Sequence, residues 1–151
     1  MTVELGHVTD RKPPFKYASF TRVGFSDTDA QGIVYYGRYM PYFDRARVEY
    51  LRELGVLVRE PSDPEFVMRA QHVEYHAPAS FDDELEVFVR VRRIGTTSLS
   101  WEFEAYKVSG GDRLVAANQT LVSVDLAERQ PVPVEWRLRD AIAGFEAELE
   151  L

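Results

Sequence analysis

The chain has 151 residues, 45% hydrophobic and 28% charged, with a formal net charge of −7 at pH 7. That length is one domain's worth, able to bury roughly 70% of its unfolded surface, and no apolar run approaches the ~20 residues a membrane-spanning helix needs. The acidic balance excludes a general nucleic-acid binder, and the lack of cysteine excludes a thiolate nucleophile, a disulfide framework and cysteine-held zinc.

The opening MTVELGHVTDRKPPF lacks the basic start and apolar stretch of a secretory signal, so a cytoplasmic location is expected. Residues 1–15 show no sustained periodicity, and Pro13-Pro14 favours an extended entry; a flexible tail is expected there, ahead of a single domain over 16–151. KYASFTRVGF, residues 16–25, carries the aromatic and β-branched residues of a first strand.

SDTDAQGIVYYGRY follows as a loop entering a helix: Ser26, Asp27 and Asp29 suit turns and caps, and Gly32 and Gly37 permit unusual backbone angles. From Tyr39 the positions Tyr39, Phe43, Ala46, Tyr50 and Leu54 recur at helical spacing, with Met40 and Leu51 beside them. Pro41 fits a first helical turn, Gly55 a stop, and Arg45 with Glu49 an exposed ion pair.

Residues 66–78 are strand-like, and Ser80 with Asp82-Asp83 marks a turn. Leu85, Val87, Val89 and Val91 then alternate with Glu86, Phe88, Arg90 and Arg92, as Leu99, Trp101, Phe103 and Ala105 do with polar residues, predicting two long half-buried strands. Gly110-Gly111 predicts a hairpin into a fifth strand, RLVAANQTLVSVDLA. Val134, Leu138, Ile142, Phe145 and Leu149 predict a C-terminal helix that should fray where Glu146, Glu148 and Glu150 oppose its dipole. The order predicts an α+β fold: a five-stranded, mainly antiparallel sheet covered by the central helix, with free edges for self-association.

Serine-hydrolase, P-loop, Rossmann and zincin motifs are all missing. His72 and His76, four apart on a strand, share a face at a separation too large for a compact metal pair, and structural or surface roles are expected for both. Arg90, Arg92, Arg93, Lys107 and Arg113 form the one basic patch, read as a solvated face balanced by Glu84, Glu86, Glu102 and Glu104. Carboxylate chemistry is what remains, at Asp27 and Asp29, although each also suits a plain turn or cap.

SDTDAQGIVYYGRYMPYFDRARVEYLRELG resembles the signature of hotdog-fold acyl-CoA thioesterases of the 4-hydroxybenzoyl-CoA thioesterase family, including its YbgC-like members. The match runs from Asp27, Asp29, Gly32, Ile33, Val34 and Tyr35 through Tyr39, Phe43, Asp44, Arg45, Ala46, Arg47, Glu49, Tyr50 and Leu51. It continues in VEYHAPASFDDELEV, similar to the family's Tyr-x-x-Pro-Ala and acidic turn, and in VRRIGTTSLSWEF.

The resemblance implies a hotdog fold, a sheet wrapped around the long helix that pairs with another subunit, and hydrolysis of an acyl-CoA with no separate cofactor. It implies Asp29 as nucleophile or general base, with Asp27 a turn former. It places the oxyanion donor on backbone near Tyr36; Tyr36 and Gly37 depart from the His-x-Asn or Pro-Asn of several members, a departure that bears on side-chain participation and leaves the backbone role in place. Gly32, Val34 and Tyr39 are implied substrate contacts, and Arg92, Arg93 and Ser98 contacts to the coenzyme A phosphates across the interface of a homodimer or homotetramer. A non-catalytic acyl-CoA-binding hotdog protein and a hotdog hydratase are the alternatives; the hydratase motif carries a histidine that this loop lacks.

Overall fold

The computed structural model describes residues 4–58 and 60–147. The five expected long strands are β2 (Tyr17–Arg22), β3 (Glu65–Tyr75), β4 (Glu84–Ile94), β5 (Ser98–Lys107) and β6 (Arg113–Asp125), joined by two short ones, β1 (Gly6–Val8) and β7 (Gln130–Pro131). Every pairing is antiparallel, in the order β1-β2-β4-β5-β6-β3, with β7 on β6. The alternation in β4 and β5 is realised as burial: Leu85, Val87, Val89 and Val91 face the core together with Leu99, Trp101, Phe103 and Ala105.

Against β2 and β4 packs the helix α1 (Tyr39–Glu53), which gives Tyr39, Tyr42, Phe43, Ala46 and Tyr50 to the core. Its aromatic rings meet the sheet directly, Phe43 stacking on Phe103 at 4.9 Å and Tyr50 standing edge-on to Trp101 at 5.2 Å. The helix stops as expected at Gly55, whose φ of +74° suits a residue without Cβ. Gly55 N–H bonds Arg52 O at 3.0 Å and Val56 N–H bonds Leu51 O at 3.1 Å, the paired capping bonds of a Schellman ending. The expected Arg45–Glu49 pair does not form; Arg45 donates to Thr21 Oγ1, and Glu49 pairs with Arg52 one helical turn along.

Residues 6–15 correct the expectation of a flexible tail. Gly6–Val8 pair with Tyr17–Ser19, His7 Nε2 lies 2.8 Å from Glu86 Oε2, Arg11 reaches the same carboxylate, and Phe15 is buried with Ala18 and Phe88. The cause lies on the outer face of the sheet. Glu86 and Phe88 occupy positions that alternation assigns to solvent, and the N-terminal segment covers them.

The C-terminal helix α2 (Trp136–Phe145) is capped by the Glu135 carboxylate, which accepts from Arg137 N–H and Leu138 N–H, and it buries Leu138 and Ile142. Glu146, expected to oppose the helix dipole, stands just beyond the end of α2 and is buried, accepting from Tyr50 OH at 2.9 Å and from Val91 N–H at 3.0 Å. Its partners come from α1 and β4, and Val91 borders the β4 register shift that frees its amide. Glu148, Leu149 and Glu150 lie outside the described residues.

Candidate active site

The loop between β2 and α1 is folded by its own short polar residues. Asp27 ends a single 3-10 turn, and its Oδ2 accepts from Gly24 N–H at 2.9 Å and from Tyr42 OH at 2.8 Å. Burial, and then the bond to Asp27, pushes the Tyr42 phenol above its ordinary value, so it stays a donor. Asp27 therefore acts here as a turn former.

Thr28 and Val34 pair, and residues 29–33 between them make a tight hairpin: Gly32 N–H bonds Asp29 O, and Asp29 N–H bonds Ile33 O, both at 2.9 Å. Gly32 has a φ of +81°, the left-handed conformation that ends a three-residue hairpin loop in a bulge. Ile33 bridges to Ser80, anchoring the hairpin beside the start of β4. Asp29 is half-buried; its Oδ1 accepts from Gln31 N–H at 2.8 Å, and among the described residues its Oδ2 has no hydrogen-bond partner.

The chain then rises into α1. Val34 N–H bonds Ala79 O at 2.8 Å and Tyr35 N–H bonds Asp27 O at 2.9 Å, fixing the approach to the 3-10 turn Tyr36–Arg38. The first bond of that turn is Arg38 N–H to Tyr35 O, 2.8 Å, so the amides of Tyr36 and Gly37 stand ahead of it without an intrahelical acceptor. Across the gap, Tyr75 at the end of β3 donates its hydroxyl to Tyr36 O at 3.0 Å. Burial and the nearby Tyr36 phenol raise the Tyr75 hydroxyl above its ordinary pKa.

These groups surround a cleft of about 400 Å³, lined on one side by Asp29, Gln31, Ile33, Val34, Tyr36 and Tyr39 and on the other by Tyr75, His76, Ala77 and Pro78. A carboxylate with a free oxygen and a helix entrance with free amides therefore share one aromatic-walled space. Another cavity of about 400 Å³ lies between β1 and α1, but Glu4, Glu49 and Glu53 line it with Arg52, an unfavourable setting for a polyphosphate ligand. Among the described residues, no cluster of three or more His, Asp or Glu side chains could hold a metal ion.

Of the residues implied for the site, Asp29, Val34, Tyr36 and Tyr39 come together in the cleft. Val34 is a buried floor, and Tyr39, also buried, turns its hydroxyl toward the Ala79 backbone. Gly32 shapes the hairpin without lining the cleft. Arg92, Arg93 and Ser98 do not line it either: they stand where β4 ends and β5 begins, Arg92 roughly 26 Å along an extended strand from Glu84 at the β4 start.

Within the basic patch, Arg90 pairs with Glu102 at 2.9 Å, Arg113 with Glu104 at 3.4 Å and Lys107 with Asp83 at 3.6 Å. Tyr75 and His76 are the titratable cleft residues that sequence reasoning did not assign to the site. His72 stays on the exposed face beside Glu74 at 3.2 Å, while His76 reaches the cleft wall. The signal available for Tyr75 was the Tyr-x-x-Pro-Ala segment, whose tyrosine, proline and alanine are Tyr75, Pro78 and Ala79.

Residues 23–142 match the family model of the thioesterase-like superfamily. The chain belongs to that superfamily. It is 36% identical over 115 residues to the acyl-CoA thioesterase YbgC of Haemophilus influenzae, covering 74% of this chain and 82% of the relative. Among solved structures, a thioesterase-superfamily protein from Jannaschia superposes with a TM-score of 0.82 at 20% identity, over 93% of this chain and 89% of its own, which establishes the fold. A gentisyl-coenzyme A thioesterase superposes with a TM-score of 0.74 at 26% identity, over 83% of this chain and 99% of its own. The hotdog architecture and the thioesterase-family membership that the sequence resemblance implied are thus established.

Proposed function

We propose that this protein hydrolyses an acyl-CoA thioester to a free carboxylic acid and coenzyme A, with the reaction at Asp29. The observation that carries the reading is the unpartnered Oδ2 of Asp29 in the cleft it shares with the Tyr36 amide at the entrance to α1. The thioester carbonyl carbon is attacked either by the Asp29 carboxylate, giving a mixed anhydride that water then cleaves, or by a water whose proton Asp29 accepts. In both routes negative charge grows on the carbonyl oxygen, and the Tyr36 backbone N–H, with the positive end of the α1 dipole behind it, stabilises that charge. The C–S bond breaks with its electron pair on sulfur. A thiol of pKa about 8.5 leaves readily as a thiolate and takes its proton from solvent, so one carboxylate suffices.

In this reading the site is completed by a second subunit. The 11-residue strand β3 is the free edge of the sheet and is exposed along most of its length, an arrangement suited to pairing with another copy in a homodimer or a homotetramer built from it. Arg92, Arg93 and Ser98, remote from Asp29 within one chain, would then meet the coenzyme A phosphates of a neighbour's substrate. The test is a panel of short-chain, medium-chain and aromatic acyl-CoAs, with released thiol measured alongside calorimetry. Turnover on at least one ester is expected; tight binding of the esters with no thiol released from any of them would contradict hydrolysis and favour a binding protein.

A further inference from the structure

The tyrosine of the Tyr-x-x-Pro-Ala segment takes no part in the reaction just described, yet it touches the helix entrance. The Tyr75 hydroxyl donates to the carbonyl oxygen of Tyr36 at 3.0 Å, while its ring rests against Tyr39 with centroids 5.8 Å apart. The Tyr36 carbonyl and the Gly37 N–H are opposite ends of one peptide group. A donor on that oxygen fixes the plane of the peptide and draws electron density from its nitrogen, leaving the Gly37 N–H more positive, as in any hydrogen-bonded amide chain. The contact also joins two elements far apart in the chain: Tyr75 closes the edge strand β3, and Tyr36 opens the turn into α1.

Resting on the thioesterase reading, we infer that Tyr75 is a positioning residue for the oxyanion site, its hydroxyl holding the Tyr36–Gly37 peptide so that the Gly37 N–H joins that of Tyr36 as a second donor to the thioester carbonyl beside Asp29. Tyr75 is half exposed, at 49%, so its hydroxyl exchanges one partner for water at little cost in stability. Its effect falls directly on the Tyr36–Gly37 peptide, whereas the backbone bonds to Ala79 and Asp27 hold the chain at Val34 and Tyr35.

The test compares wild type with Tyr75→Phe, which removes one oxygen and keeps the ring. Thiol release gives kcat and KM on an ester that the wild type hydrolyses, and a 1H–15N spectrum of both proteins follows the Gly37 amide. The expected result is a kcat lowered about tenfold, short of the ~10²–10³ lost when an oxyanion donor itself is removed. KM and Tm stay as in wild type, and the Gly37 proton shifts upfield. An unchanged kcat, or a raised KM at unchanged kcat, overturns the inference, the second by making Tyr75 a substrate contact. The Gly37 resonance needs no substrate: if it does not move, the positioning contact is overturned whatever the activity. A wild type that releases no thiol from any ester overturns the thioesterase reading instead.

Discussion

At the scale of single residues, Asp27 and Glu146 serve the fold as acceptors, whereas Asp29 is the carboxylate on the wall of the cleft. Asp27 is occupied by Gly24 and Tyr42, and Glu146 by Tyr50 and Val91; Asp29 keeps an oxygen toward the cleft. Burial raises the Glu146 pKa, with the hydrogen bonds from Val91 N–H and Tyr50 OH pulling the other way. A raised folded-state value means that the folded protein holds this proton more tightly than the unfolded chain. The associated stability is fully present below the unfolded pKa of about 4.3 and is lost as pH rises through the higher folded value. Glu146→Gln keeps an acceptor oxygen without the charge, so relative to wild type it should gain stability as pH rises from 4 to 7, as read by urea unfolding at each pH. A difference that does not vary with pH would contradict the burial cost assigned to this carboxylate.

At the scale of elements, two glycines in the same left-handed conformation do different work. Gly55 closes α1 and Gly32 closes the Asp29 hairpin; their φ angles are +74° and +81°, and a Cβ at either would meet nothing within 4 Å, so substitution costs backbone strain alone. Alanine at either position should cost about 1 kcal/mol. Gly55→Ala should leave kcat unchanged, while Gly32→Ala should lower it several-fold by tilting Asp29; equal kcat losses in both would contradict the role given to the hairpin. Elements such as these were legible because their signals are local. The 3.6-residue spacing from Tyr39, the alternation through Leu85–Val91 and Leu99–Ala105, and Gly55 as a stop each reflect contacts made within one element. The burial of Phe15 and Glu146 was not legible, because it depends on surfaces supplied by β2, β4 and α1 from distant parts of the chain. A three-residue strand such as β1 is too short to carry a period at all.

At the scale of the whole molecule, the sheet is finished on one side and open on the other. β1 and residues 9–15 cover the β2 side, whereas β3 presents backbone and side chains such as Val67, Met68 and Tyr75 to solvent. Light scattering should therefore give twice the chain mass or a multiple of it, and proline at Ala70, in the middle of β3, should lower both assembly and activity; a stable, fully active monomer would contradict the shared site. The candidate site was itself half legible. Asp29 and Tyr36 followed from the loop signature, but the opposite wall, Tyr75 and His76, is brought to them only by the pairing of β3 with β6.

The proposed hydrolysis rests on the carboxylate of Asp29. Asp29→Asn keeps an acceptor oxygen for Gln31 N–H and changes little else, so its fold and assembly should match wild type. Steady-state thiol release from the best ester of the panel should fall at least ~100-fold in kcat, the scale lost with a general base or nucleophile. A correctly assembled variant that keeps wild-type kcat would contradict the account.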